Sequence, residues 1–120
     1  MDKITIICYP KCSTCAKAEK WLKDNAITYD YRHIKEENPT VKELTAWIEK
    51  SGLPINKFFN TSGMLYREQN IKEKLKTSSQ KELIKILASD GMMVKRPIVL
   101  YGNKILLGFK EAEWQKAFEV

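Results

Sequence analysis

A short apolar run, Ile4 to Cys8, is halted by Pro10 and followed at once by Cys12-Ser13-Thr14-Cys15 and a stretch of strong helix formers. This junction constrains the fold more than any other feature of the chain. A β-branched run of this length reads as a buried strand. Beyond it, Cys15, Ala18, Trp21, Leu22 and Ala26 recur at spacings of three and four, which marks one face of a helix starting at Ser13 or Thr14. Cys12 is thereby placed at the helix N-terminus. Ile27 to Ile34, with Ile27, Tyr29 and Tyr31 in alternation, predicts a second strand. The order β-α-β favours a parallel pair joined by a right-handed crossover.

Downstream, Thr40 and Glu43 form a capping box ahead of Leu44, Trp47 and Ile48, with Gly52 and Pro54 as the stop. Ser79 and Glu82 repeat the pattern ahead of Leu83, Ile84 and Leu87, ending near Asp90-Gly91. Between them, Phe58, Phe59, Met64, Leu65 and Tyr66 are expected to pack, but their spacing supports only short helices around Met64 to Glu68 and Ile71 to Leu75. Pro97 to Tyr101 and Lys104 to Gly108, separated by Gly102-Asn103, predict an antiparallel hairpin. Ala112, Trp114, Ala117 and Phe118 predict a closing helix. The sum is an α/β chain with a mixed sheet: βαβ, a helical middle, then ββα. A length of 120 residues and 43% hydrophobic content suit a single domain spanning residues 1–120. Neither a bilayer-spanning apolar stretch nor a signal peptide is read, so the expectation is a soluble, cytoplasmic protein.

Cys-x-x-Cys at a helix start suits disulfide exchange, which needs one thiolate to attack and a second thiol close enough to resolve the mixed disulfide. The free N–H groups and positive dipole end of the helix favour the thiolate of Cys12, and Lys11 adds a modest favourable charge. Cys15, one turn farther in, suits the resolving role. The alternative is half of a zinc site, which needs a second pair of ligands. Only Cys8, in an apolar strand, and the isolated His33 are available, so no metal is expected. Cys8 reads as a small core residue. The charge of +6, from 21 Lys plus Arg against 15 Asp plus Glu, is spread along the chain, and no basic stripe with stacking aromatics suggests direct nucleic-acid binding.

Lys95-Arg96-Pro97 opens the hairpin with a proline and biases Arg96 toward extended backbone. With this element added, the chain resembles the arsenate reductase (ArsC) family and its Spx-like and glutaredoxin-like relatives over essentially its full length. The resemblance is carried by Tyr9-Pro10-Lys11-Cys12-Ser13-Thr14-Cys15-Ala16-Lys17-Ala18, by Phe58-Phe59-Asn60-Thr61-Ser62-Gly63 and by Lys95-Arg96-Pro97-Ile98. It implies a thioredoxin-like fold with a helical insertion at about 38–90, Pro97 in the cis form beside Cys12, and Arg96 facing the thiolate.

The same resemblance implies a thiol–disulfide oxidoreductase with Cys12, Cys15 and Arg96 as catalytic residues and Lys11, Asn60, Thr61 and Pro97 at the substrate. No cofactor would be bound. Glutathione or a thioredoxin/glutaredoxin system would donate electrons, and the substrate would be a disulfide or a glutathionylated protein. A second reading is a Spx-like redox sensor that binds an RNA polymerase subunit. Arsenate reduction comes third, because of three arginines that arsenate-reducing members set around the oxyanion only Arg96 is retained. Phe58-Phe59-Asn60-Thr61 and Gly108-Phe109 stand where the other two would be.

Overall fold

Strand β1 (Ile4–Cys8) runs beside three others in the computed structural model, which describes residues 3–120. It pairs in parallel with β2 (Asp30–His33) and antiparallel with β3 (Ile98–Tyr101), which in turn pairs antiparallel with β4 (Lys104–Leu107). The order β2-β1-β3-β4 makes a mixed four-stranded sheet, and with its helices the chain has the thioredoxin-like α/β fold. The chain divides into two compact units, one holding the residues up to His33 and those from Arg96 onward, the other Ile34–Lys95.

In the first unit, helix α1 (Ser13–Asp24) turns Cys15, Ala18, Trp21 and Leu22 inward. They meet Ile6, Cys8 and Val99 of the sheet and Trp114 of helix α6 (Glu111–Phe118) in one core cluster. Ile6 and Cys8 share a sheet face because side chains alternate along a strand. Trp114 is fully buried among Trp21, Phe109 and Phe118, and its indole N–H donates to the Gly108 carbonyl at 3.2 Å. A buried indole needs such an acceptor. The hairpin turn at Gly102-Asn103 is as predicted, with Gly102 at φ 57°, where glycine meets no Cβ penalty.

Two boundaries differ from the pattern reading. Helix α1 stops at Asp24, where the Asn25 amide donates to the Trp21 carbonyl at 2.9 Å. Ala26, expected on the helix face, is exposed at φ 55° and lies outside the helix. Strand β2 covers only Asp30–His33, because β1 offers partners to four residues, Asp30 opposite Thr5 through His33 opposite Cys8. Ile27 to Tyr29 is the connection into it.

The second unit is largely helical. Helix α2 (Val41–Ser51) begins with the expected capping box, the Glu43 N–H donating to Thr40 Oγ1 and the Thr40 N–H donating to Glu43 Oε1, both at 3.1 Å, and Gly52 closes it at φ 67°. Ser79 caps α5 (Gln80–Ser89) by accepting the Glu82 N–H. Helices α2 and α5 pack together, burying Leu44, Trp47 and Ile48 on one and Leu83, Ile84 and Leu87 on the other. The short helices α3 (Met64–Glu68) and α4 (Ile71–Thr77) lie where expected. Phe58 and Phe59 are buried, but Met64, expected to pack, is 67% exposed. Among the described residues no helix is long and apolar enough to cross a membrane.

Candidate active site

The chain leaves β1 at Cys8 and turns so that the Cys12 N–H donates to the Tyr9 carbonyl at 3.0 Å. Cys12 is the N-cap of α1: its backbone is extended, at φ −94° and ψ 120°, while its carbonyl accepts the Ala16 N–H at 3.1 Å. Its side chain makes no capping bond. The sulfur is thus left for chemistry at a helix end whose first N–H groups lack helical partners. Cys12 is half-buried, whereas Cys15 is 1% exposed and Cys8 fully buried. All three cysteines are free thiols.

Their electrostatics separate them. Cys15 is lowered to about 7, first by a hydrogen bond from the Cys8 thiol, then by the Tyr9 main chain, the Cys12 thiol and the charge of Arg96, with burial opposing. The Cys8 thiol is pushed far up by the same bond and by burial, so it keeps its proton. Of the two buried thiols, Cys15 is therefore the more readily ionised. A hydrogen bond to the charged form favours ionisation and burial disfavours it, and at Cys15 the donors win.

Arg96 enters on the strand side. It precedes a cis peptide bond to Pro97, and its guanidinium carbon lies 5.3 Å from the centre of the Tyr9 ring. Its Nε and Nη1 are buried and lack hydrogen-bond partners among the described residues. Pro97 is buried, and its carbonyl accepts the Gly108 N–H at 2.9 Å. Tyr9 also meets the His33 ring edge-on at 5.8 Å.

Of the residues singled out from sequence, Lys11, Cys12, Cys15, Arg96 and Pro97 all belong to the first unit, and Lys11 is exposed. Asn60 and Thr61 belong to the second. There the Asn60 N–H donates to the Met93 carbonyl at 2.8 Å and its side-chain amide approaches the Met92 carbonyl at 3.4 Å, while Thr61 is exposed. Two residues escape the sequence reading. Tyr9, beneath Arg96, carries no signal of its own. Cys8, read as plain core, shares the core cluster with Cys15, and strand alternation with Ile6 places it on the face toward the helix stripe that Cys15 begins.

The model of the ArsC family matches residues 8–117. The Bacillus subtilis protein YusI is 50% identical over 113 residues, which span 94% of this chain and 96% of that protein. The crystal structure of a protein related to the ArsC family from Bacteroides fragilis shares 52% identity and a TM-score of 0.92, covering 95% of this chain and 96% of its own. The global transcriptional regulator Spx 2 of Bacillus anthracis is 28% identical over 105 residues, 88% of this chain and 79% of that one. The match to the family model runs from the end of β1 to the last turn of α6 and includes the Cys-x-x-Cys turn and the Arg96-Pro97 bond: the chain belongs to the ArsC family.

Proposed function

We propose that the protein is a thiol–disulfide oxidoreductase in which Cys12 attacks a disulfide or glutathionylated substrate and Cys15 resolves the product. The observation that carries this reading is the asymmetry of the pair. Cys12 is half-buried at the helix N-cap, and Cys15 is buried behind it with its thiol lowered to about 7. Cys12 gives up its proton to water and attacks one sulfur of the substrate as the thiolate. The Cys12–S–S–R bond forms and the other half leaves as a thiolate. Cys15 then loses its own proton to the leaving thiolate or to water, which a thiol lowered to about 7 permits at neutral pH. Its sulfur attacks Cys12, releasing R–S⁻ and leaving a Cys12–Cys15 disulfide. Glutathione or a thioredoxin/glutaredoxin system restores the dithiol, and no bound cofactor takes part. Arg96, with two unpaired N–H groups, serves as the anion-binding group for a carboxylate of glutathione or of a peptide. Lys11 and Pro97 complete the substrate contacts of this unit in this reading, in the cytoplasm.

The test is a redox titration in glutathione buffers, with free thiols trapped and each cysteine read by mass spectrometry. A reversible Cys12–Cys15 disulfide within the cytosolic range is expected. Its absence, with only Cys12 reacting, would replace the dithiol scheme with one-cysteine glutathione chemistry.

The similarity to Spx 2 supports a second reading, in which the same disulfide is a sensor and the reduced and oxidised forms differ in binding an RNA polymerase subunit. Stoichiometric recovery of polymerase in one redox state would establish it. Arsenate ranks third. Phe59 is buried and Phe109 packs against Trp114 at 4.8 Å, so these positions contribute aromatic core in place of cations for an oxyanion.

A further inference from the structure

We propose that Tyr9 is a positioning residue for the anion-binding group: its main chain anchors the Cys12 turn and its ring holds the Arg96 guanidinium, so one residue sets the cation relative to the attacking sulfur. The inference rests on the reading above in which Arg96 receives a carboxylate of the substrate, and it adds a residue to which that reading gives no role.

The geometry follows from strand pairing. Tyr9 comes directly after β1, which has β2 on one side and β3 on the other. Antiparallel pairing sets Ile7 opposite Ile98, and the same register continued past the end of the ladder brings Tyr9 opposite Arg96. Parallel pairing sets Cys8 opposite His33. The Tyr9 ring accordingly meets a side chain from each neighbour. The guanidinium carbon of Arg96 lies 5.3 Å from its centre, and the His33 ring meets it edge-on at 5.8 Å. On the main-chain side, the Tyr9 carbonyl accepts the Cys12 N–H at 3.0 Å. Tyr9, Cys12, His33 and Arg96 all belong to the first unit.

An aromatic ring suits this position for a chemical reason. Among the described residues no carboxylate pairs with Arg96, and its Nε and Nη1 are buried without hydrogen-bond partners. An acidic side chain in place of Tyr9 would also hold the guanidinium, but it would neutralise the charge and occupy the donors that a ligand needs. A ring face attracts the cation through its quadrupole and leaves those N–H groups for the ligand. Arg96 is thereby placed while still charged and unpaired, the state that receives a carboxylate through charge-assisted hydrogen bonds. An aliphatic side chain would fill the same space without the attraction, and the long arginine side chain would lose more rotamer freedom on binding. The Tyr9 hydroxyl has no part in this account, so phenylalanine should replace tyrosine.

The test compares two alkylating agents on the reduced full chain. Iodoacetate carries a carboxylate and iodoacetamide is its neutral counterpart. Both react with the same thiolate, so a change in the ionisation or exposure of Cys12 moves both rates and leaves their ratio unaltered. Adducts on Cys12 are read by mass spectrometry at low, fixed ionic strength. Arg96→Ala and Tyr9→Leu are each expected to lower the ratio of iodoacetate to iodoacetamide rates by about threefold to tenfold, and Tyr9→Phe to keep it within about twofold. Once Arg96 is replaced by alanine, Tyr9→Leu should have no further effect. Should Tyr9→Leu fail to fold, Tyr9→Met fills the space with an unbranched side chain and reads the same ratio. The inference is overturned if Arg96→Ala lowers the ratio while Tyr9→Leu or Tyr9→Met leaves it unchanged. It is equally overturned if Tyr9→Phe falls as far as they do, or if Tyr9→Leu acts as strongly without Arg96 as with it. A ratio that Arg96→Ala itself leaves unchanged would end the anion-binding role of Arg96, and the inference with it. Alkylation needs neither turnover nor a Cys12–Cys15 disulfide, so it judges Tyr9 apart from the dithiol scheme.

Discussion

Arg96 stacks its guanidinium over the Tyr9 ring, 5.3 Å from carbon to centroid, and neither its Nε nor its Nη1 has a hydrogen-bond partner among the described residues. The ring lies against the cation on one side, and the charge reaches Cys15. A buried donor without a partner costs on the order of 1–3 kcal/mol, more for a charged group, and an anionic ligand would repay that cost by occupying both sites. Arg96→Ala should therefore lower kcat/KM for a glutathione mixed disulfide by about 10- to 100-fold, the value of one charge-assisted hydrogen bond. Arg96→Lys should recover little, since an ammonium has neither the planar fork nor the same stacking on Tyr9. Steady-state kinetics with both variants check this, and full activity in Arg96→Lys would show that charge alone suffices.

The buried position of Cys15 gives the pair a division of labour that substitution separates. Cys12→Ser should abolish turnover. Cys15→Ser should stop at the first covalent stage, because a serine hydroxyl cannot displace the thiol held on Cys12. Intact-mass spectrometry of Cys15→Ser after exposure to oxidised glutathione should show one glutathione per chain, located on Cys12. Glutathione found on Cys8 of that variant instead would contradict the burial that protects Cys8.

Cys8 and Cys15 also set how stability varies with pH in the reduced protein. Cys15 is lowered to about 7 in the fold, against about 8.5 in an unfolded chain, so its contribution is fully present above about pH 8.5 and is lost as pH falls through 7. Cys8 has the opposite sign. It holds its proton in the fold, the unfolded chain releases it above about pH 8.5, and stability falls from there upward. Tyr29 and Tyr31, both pushed up to about 12, add to the decline above about pH 10. Urea midpoints under reductant should rise between pH 6.5 and 8.5, by at most about 2 kcal/mol, and decline beyond. The rise should vanish in Cys15→Ser. A flat or falling profile between about pH 6.5 and 8.5 in the unaltered chain would count against a lowered Cys15 thiol.

What the sequence disclosed and what it hid divide along the range of the interactions. Thr40 with Glu43, Ser79 with Glu82, and Gly102-Asn103 act within a few residues, so α2, α5 and the hairpin could be read before any packing was known. Cys12 at the N-cap of α1 was legible for the same reason. Ala26 was not, because alanine carries no stop signal and the helix ends through the Asn25 amide on the Trp21 carbonyl. The true extent of β2 depends on how many residues β1 offers as partners, a pairing no local pattern encodes. At the site, the residue types of the redox pair and of Arg96-Pro97 stood out, whereas the shared burial of Cys8 and Cys15 and the approach of Arg96 to the Tyr9 ring exist only once helix and strands have docked.

One further residue in the second unit is set by such a tertiary contact. Gly91 is buried at the start of a 3₁₀ turn, Gly91–Met93, which Asp90 caps by accepting the Met92 N–H at 2.8 Å. A Cβ built on Gly91 would fall on the carbonyl oxygen of Ile34 and within 2.7 Å of its carbonyl carbon. The obstacle is backbone, so no side-chain rotation relieves it. The turn itself leads into Val94, which bridges to Phe59, and Lys95, whose N–H donates to the Phe58 carbonyl at 2.8 Å. Displacing Gly91 therefore strains the segment that anchors both buried phenylalanines. Gly91→Ala should destabilise the protein by at least about 2 kcal/mol, the cost of forcing an added carbon into a packed interior. Gly52→Ala makes the control. It also adds one methyl, at a site with nothing within 4 Å but φ 67°, and should cost only about 1 kcal/mol of backbone strain. Denaturant midpoints that ranked Gly52→Ala as the more damaging of the two would show that the Gly91–Ile34 approach relaxes readily.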